Sequence, residues 1–235
     1  MVEHRLSQAI RLGLILDGEQ LPPETKLAEQ LGVSTVTLRE ALAVLREQGL
    51  ITTRRGRGGG TFVQAPPDVL QRLVQRLRRF TTQELSDLGD HRSAVSGMAA
   101  RLAAERALSE EVASLTRQVE RLRAANTASE RRRADTQFNI EVAAAAQSPR
   151  LTREELRLRA EVGDLLWLQL DEADHRASVA SRANLVDAIK RRQPLRAREL
   201  AEQHVATDTA RMLQLRLRLY DLERSGSTDT FRRTP

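Results

Sequence analysis

Residues 21–63, LPPETKLAEQLGVSTVTLREALAVLREQGLITTRRGRGGGTFV, constrain this chain more than any other stretch. Pro22 and Pro23 force an extended entry. Pro23 or Glu24 can then open a helix over residues 24–30, because a first helical turn has no use for the N–H that proline lacks. Leu27, Ala28 and Leu31 share its inner face, and the small Ala28 lets another helix cross closely. Gly32 stands where a helix end asks for positive φ. Val33 can plug the core at the turn. Ser34 suits the N-cap of a helix over residues 35–48, whose buried stripe is Leu38, Ala41, Leu42 and Leu45. Gly49 closes it. Residues 50–53 read as a strand and 61–63 as its return, with the basic, glycine-rich RRGRGGG between them. Two short helices about a tight turn, followed at once by a basic hairpin, make the layout of a winged helix-turn-helix, which holds its second helix out for the major groove of DNA.

The side chains placed for that contact follow from the pattern. Ser34, Thr35, Thr37 and Arg39 sit at the start of the second helix, mostly off its buried stripe, where base edges and phosphates would be met. Arg54, Arg55 and Arg57 suit phosphate or minor-groove contact, and Gly58 and Gly59 permit a tight tip and close backbone approach. Upstream, Leu6, Ile10, Leu12, Leu14 and Ile15 approximate one face of a helix over residues 4–17, ended by Gly18.

Net charge is a weaker guide. The chain carries +6, but residues 1–65 hold eight Lys/Arg and seven Asp/Glu, a net of +1. DNA affinity must therefore come from local placement. The absence of cysteine excludes disulfides and thiolate metal sites. No apolar run approaches the roughly 18 residues that span a bilayer, and the first twenty residues lack the apolar centre of a signal peptide. A cytoplasmic protein with no membrane partner is expected. An enzyme is not: there is no Ser-His-Asp arrangement, P-loop or dinucleotide-binding glycine pattern, and the four His residues form no HExxH pair.

Pro66 and Pro67 suit a semi-rigid linker, so a domain boundary is placed there. Everything beyond reads as helix: 68–80, 83–108, 109–126, 129–147, 151–173, 178–192 and 194–224. With 40% hydrophobic and only 3% aromatic residues, the core must be mostly Leu, Ala and Val. The expected fold class is mainly α, an N-terminal winged helix-turn-helix with a small two-stranded wing followed by an all-helical bundle. The expected division is a DNA-binding domain at 1–65, a helical effector-binding and dimerisation domain at 66–225, and a polar tail at 226–235.

Across residues 6–63 the segments LPPETKLAEQLGVS, TLREAL, EQGLI and RRGRGGGTFV resemble the N-terminal domain of GntR-type bacterial transcription regulators. Beyond the linker, DHRSAVSGMAARLAAERA, ADTQFNIEVAAAAQSPRL, NLVDAIKRR and LRARELAEQHV resemble the ligand-sensing domain, called FCD, of the FadR branch of that family. The resemblance implies a homodimer that binds a roughly palindromic double-stranded operator, with residues 35–48 as recognition helix and a wing tip near Gly58 and Gly59. It implies an effector within the bundle, and a repressor relieved by that ligand as the commoner outcome. Two positions depart from the family pattern. Thr25 and Thr35 stand where the family commonly has Arg, while Arg39 is kept. Arginine is the usual bidentate partner of guanine, so the operator is expected to differ at the base pairs those arginines would read.

The sensor domain departs in the same way. Members of this type often hold a divalent metal with one Asp and three His, and the matching positions here are Asp135, Asn139, Arg182 and His204. Asn is a poor ligand for metals that favour imidazole, and the Arg182 guanidinium has charge but no lone pair. His175 lies seven residues before Arg182, about 10 Å along a helix axis, too far to substitute unless the chain breaks between Ser178 and Ser181. No cofactor is therefore required, and a divalent metal is not expected. A fixed guanidinium suits a carboxylate instead. A small organic acid is the expected effector, bound by Arg182 with Arg92 as a second cationic group, and with Asp135, Asn139 and His204 in the same pocket. Competing readings make Asp135 and Arg182 a buried ion pair filling a lost site, His204 a core histidine, Arg92 a surface residue, and Trp167 a core or dimer contact. The alternative for the whole chain is a dimeric architectural DNA-binding protein whose helical domain is only a scaffold.

Overall fold

The computed structural model describes residues 2–11, 15, 18–54, 56, 59–64, 69–163, 165–168 and 171–224, with only the backbone at Val69, Leu70, Ser129 and Trp167. Among the described residues are ten α-helices and one two-stranded antiparallel sheet. The mainly helical class, with a small wing behind a helix-turn-helix, is the one expected from the sequence. Arg55, Arg57, Gly58, Pro66, Pro67, the tail 226–235 and the Trp167 side chain lie outside the described residues.

The N-terminal module comprises α1 (Val2–Arg11), α2 (Glu24–Leu31), α3 (Thr35–Glu47), β1 (Ile51–Arg54) and β2 (Gly60–Val63). Gly32 ends α2 at φ 68°, and its N–H bonds back to the last turn, a conformation in which a Cβ would be strained. Ser34 then caps α3, its Oγ accepting the Thr37 N–H at 3.1 Å. Leu38, Ala41, Leu42 and Leu45 are buried as the spacing required. They pack with Leu6 and Ile10 of α1 and Leu27 and Ala28 of α2 into one cluster. The wing pairs Ile51 with Val63 and Arg54 with Gly60. The segment before α2 also pairs with β2: Leu21 N–H donates to Thr61 O at 2.8 Å, and Val63 N–H to Glu19 O at 2.9 Å. Three backbone segments thus hold the wing against the helices.

The bundle comprises α4 (Val69–Arg78), α5 (Thr82–Arg106), α6 (Ser109–Ala124), α7 (Ala128–Ala145), α8 (Pro149–Val162), a short 3-10 turn (Leu165–Trp167), α9 (Glu172–Lys190) and α10 (Pro194–Arg224). Reciprocal capping boxes open three of them, Thr81 with Glu84, Thr127 with Glu130, and Asp171 with Asp174. The longest helices, α5 and α10, pack closely: a Cβ on Gly89 would come within 2.6 Å of the Thr209 side chain. Two large clusters and one small one, mainly of Leu, Ala and Val residues, fill the bundle. No helix among the described residues is long and apolar enough to cross a membrane.

Three element boundaries differ from the sequence reading. The helix expected over 4–17 ends at Arg11 and leaves Ile15 outside it, while Leu12 and Leu14 lie outside the described residues. The helix expected over 151–173 stops at Val162, and the one expected from Ser178 begins at Glu172. The reason for the last is local. Asp171 accepts the Asp174 N–H at 2.8 Å and starts α9 two turns early. In consequence α9 runs unbroken through Ser178 and Ser181, so His175 stays two turns from Arg182.

Candidate functional site

The start of α3 is a polar, solvent-facing tip on a buried core. Thr35, Thr37 and Arg39 are exposed, as are Ser34 and Thr25. Their interactions differ. Ser34 Oγ lies 2.9 Å from Thr37 Oγ1 besides capping the helix, so these two hydroxyls serve each other. Arg39 Nε donates to Glu24 Oε2 at 2.7 Å, with 69% of the arginine side chain still exposed. That single bond leaves the two Nη groups of the fork for another acceptor. On the wing, the Arg54 guanidinium lies over the Phe62 ring, 4.7 Å from its centroid. Gln20 Nε2 donates to Gly59 O at 3.1 Å, fixing the returning edge of the wing.

In the bundle, five helices deliver polar groups to one place. Asp135 and Asn139 lie on one face of α7, Arg182 on α9, His204 and Asp208 on α10, Arg92 and Ser96 on α5, and Glu155 and Arg159 on α8. Ser96 Oγ donates to Glu155 Oε2 at 3.0 Å, and Arg159 Nε to Glu155 Oε1 at 2.9 Å. Arg159 Nη1 reaches Asp135 Oδ2 at 3.1 Å. Arg182 gives Nε at 2.9 Å, and also Nη2, to Asp135 Oδ1. Its Nη1 lies 2.8 Å from His204 Nδ1. At the far end Arg92 Nη2 donates to Asp208 Oδ2 at 3.1 Å. His204 Nε2 lies 3.2 Å from the same oxygen, without the alignment of a full hydrogen bond. Every buried Arg, Asp or Glu among the described residues belongs to this chain of contacts. Three guanidinium groups face three carboxylates, so the network is self-neutralising when His204 is neutral.

The direction of the His204 shift agrees with that assignment. Burial, then the charge of Arg182, push the His204 pKa down. A neutral ring that accepts from Arg182 through Nδ1 carries its proton on Nε2, towards Asp208. Burial by itself would raise the Asp135 carboxyl, but Arg182, Arg159 and His204 outweigh it and hold it below the usual carboxylate range. Asp208 is likewise held low despite burial, by His204, Arg92 and Arg182. Burial lowers Arg92, with Asp208 opposing, and Arg92 Nη1 is buried without a hydrogen-bond partner.

A cavity of about 20 Å³ opens beside this network, room for roughly one water on a scale where one needs about 10–15 Å³. Asn139, Glu155, Arg182 and His204 give it polar walls, and Phe138, Val142, Leu185 and Leu200 apolar ones. Asp135, Asn139, Arg182 and His204 are thus brought together, and Arg92 joins them through Asp208 rather than at the surface. The donor set does not fit a divalent cation. Both Asp135 oxygens are taken by guanidinium donors. Asn139 Nδ2 turns towards Asp135 O at 2.7 Å, and Arg182 has no lone pair. Sequence reading missed Ser96, Glu155, Arg159 and Asp208. A signal for the charged three was present: each falls in phase with an apolar stripe, as Asp208 does between Val205 and Met212, and Arg159 beside Leu158 and Val162.

Comparison with known proteins follows both halves of the chain. Residues 1–63 match the family described as bacterial regulatory proteins, gntR family, and residues 84–207 match the FCD domain. The chain is 39% identical to the HTH-type transcriptional regulator RmpR of Mycobacterium gastri, across 97% of this chain and 85% of that one. It is 28% identical to the Glc operon transcriptional activator of Escherichia coli K12, across 96% and 90%. Among solved structures, E. coli McbR/YncC superposes with a TM-score of 0.57 at 20% identity, covering 91% of this chain and 95% of that one, a likeness of fold.

Proposed function

The chain belongs to the gntR family of bacterial regulatory proteins, as a transcriptional regulator with an FCD domain and not an enzyme, and from that premise we propose that it is a cytoplasmic repressor that binds a double-stranded operator as a homodimer. Residues 1–65 form the DNA-binding domain, 66–225 the effector and dimerisation domain, and 226–235 a tail. The observation that carries this reading is the exposed, Ser34-capped start of α3 standing on a fully buried Leu38 and Leu45. A rigid helix presenting Thr35, Thr37 and Arg39, beside a wing carrying Arg54, Arg55, Arg57, Gly58 and Gly59, is suited to one half-site. Thr25, exposed at the start of α2, is a further DNA-contacting position. Two copies reading a palindrome require twofold symmetry. Selection of bound sequences from a random DNA pool, with sedimentation of the complex, tests this. Enrichment of an inverted repeat by a dimer is expected; no enriched sequence, or binding as a monomer, overturns it. The sign of regulation is read from a promoter fused to a reporter.

The effector in this reading is a small organic acid held without metal by Arg182, with Arg92, Asp135, Asn139 and His204 around it. Support comes from Asn139, Arg182 and His204, which line one cavity, from Asp135 bonded to Arg182 behind them, and from the unpartnered Arg92 Nη1. An acid larger than a water must open that cavity and offer Arg182 a carboxylate in place of Asp135. It can shift the protein between closed and open arrangements only by its differential affinity for them. The scaffold reading is favoured by the saturation of Arg182, which already has partners on all three nitrogens. A thermal-shift screen of organic acids separates the two, since a ligand of the folded state alone raises the midpoint. A rise that Arg182→Met abolishes supports the effector; no rise with any acid supports the scaffold. Stoichiometric zinc or nickel in the purified protein would remove the metal-free part of the proposal.

A further inference from the structure

Several polar groups at the tip of α3 already have partners within the protein. The Ser34 and Thr37 hydroxyls serve each other and the helix cap, and one edge of Arg39 is held by Glu24. Between them stands Val36, the second residue of α3, with 63% of its surface exposed. It is the most exposed large hydrophobic residue among the described residues of the winged module, ahead of Val44 at 41%. Its neighbour Leu38 is fully buried, so the module's core is complete without it. Val36 faces outward from the turn of the helix that holds Thr35, Thr37 and Arg39.

In the major groove the thymine 5-methyl is the apolar group that a base-pair edge presents. A valine placed there gains by covering that methyl. It loses against cytosine, whose N4 amino donor it would bury without a partner. We propose that Val36 is a specificity-determining residue that packs on a thymine 5-methyl in each operator half-site. The inference rests on α3 being the recognition helix.

The test uses the full chain and the sequences it selects. Each thymine is replaced in turn by deoxyuridine, which removes only the methyl, and the affinities of the unaltered protein and of Val36→Ala are compared at one salt concentration. Because Val36 is exposed, the variant keeps the fold. One thymine per half-site is expected to matter: its loss weakens the unaltered protein about fourfold, the value of one buried methyl-sized group, and leaves Val36→Ala unchanged. A Val36→Thr variant keeps the two branches at Cβ and retains part of the effect. Equal losses in the unaltered protein and Val36→Ala, or no thymine whose methyl matters, overturn the assignment while leaving DNA binding intact. Failure to enrich any sequence instead overturns the DNA-binding reading, and this inference with it.

Discussion

The winged module and the helical bundle use the same side chains in opposite surroundings. In the module, Arg39 and Glu24 meet at 2.7 Å with 69% and 41% of their side chains exposed. In the bundle, Arg182 and Asp135 meet with 3% and 2% exposed. An exposed pair contributes about 0–1 kcal/mol, so Arg39 can exchange Glu24 for another acceptor at little cost. A buried charge left without its partner costs several times that, because no water replaces what was lost. The first arrangement suits a surface that must change partners. The second is committed to itself, and anything that enters must replace what it displaces.

The largest expected effect breaks the buried side. Asp135→Ala leaves Arg159 and Arg182 facing each other, and it is expected to lower the unfolding free energy by about 3–5 kcal/mol. Denaturant titration measures it, and a loss below about 1 kcal/mol would put the buried pair in the same class as a surface pair. On the exposed side, Arg39→Ala should leave stability within about 0.5 kcal/mol while weakening binding to a selected operator roughly tenfold or more, within the range for one base contact. Equal effects on folding and on DNA would erase the contrast. Ser34→Ala tests whether the tip depends on its cap: about 1 kcal/mol of stability should go, seen as a lower thermal midpoint.

The smallest effect is one of pH. His204 is depressed below its ordinary 6.5 by burial and then by Arg182. The unfolded chain therefore binds this proton first, and stability should fall as pH drops below about 6.5 towards the lower folded value. His175, lowered chiefly by burial, acts in the same direction. Asp135 and Asp208 are also depressed, so their contribution is present above the ordinary carboxylate range and is lost as pH falls through their lower folded values. His204→Gln should flatten the slope just below pH 6.5 and leave the more acidic loss in place. An unchanged slope in that window would mean that the folded protein does not depress His204.

Much of the winged module is legible in its sequence. Gly32, Ser34 and the Leu38–Leu45 stripe announce their positions through local rules of helix ends and 3.6-residue spacing, and α10 begins at Pro194, where proline opens a helix. The break after α8 is not legible, because Gly163 and Asp171 are separated by an apolar run that fits a continuing helix equally well. Asp135 and Arg182 stand out in the sequence, with their pairing as one of two outcomes open to them. Arg159 and Glu155 carry a fainter signal: they fall in phase with Leu158 and Val162, but an Arg and a Glu four apart on a helix ordinarily make a surface pair.

By itself the sequence determined most of the elements, the mainly helical class, the place of α3 and the likeness to a family. These follow from short-range chemistry: caps, turns and apolar periodicity act within a few residues. Only the tertiary structure decided which charges are buried and what they meet. Asp135, Glu155, Arg159, Arg182, His204 and Asp208 come from four helices, and Arg92 from a fifth. Whether each is a solvated surface group or a link in a neutral buried network depends on helix crossings set by packing, such as the close approach of α5 to α10 at Gly89.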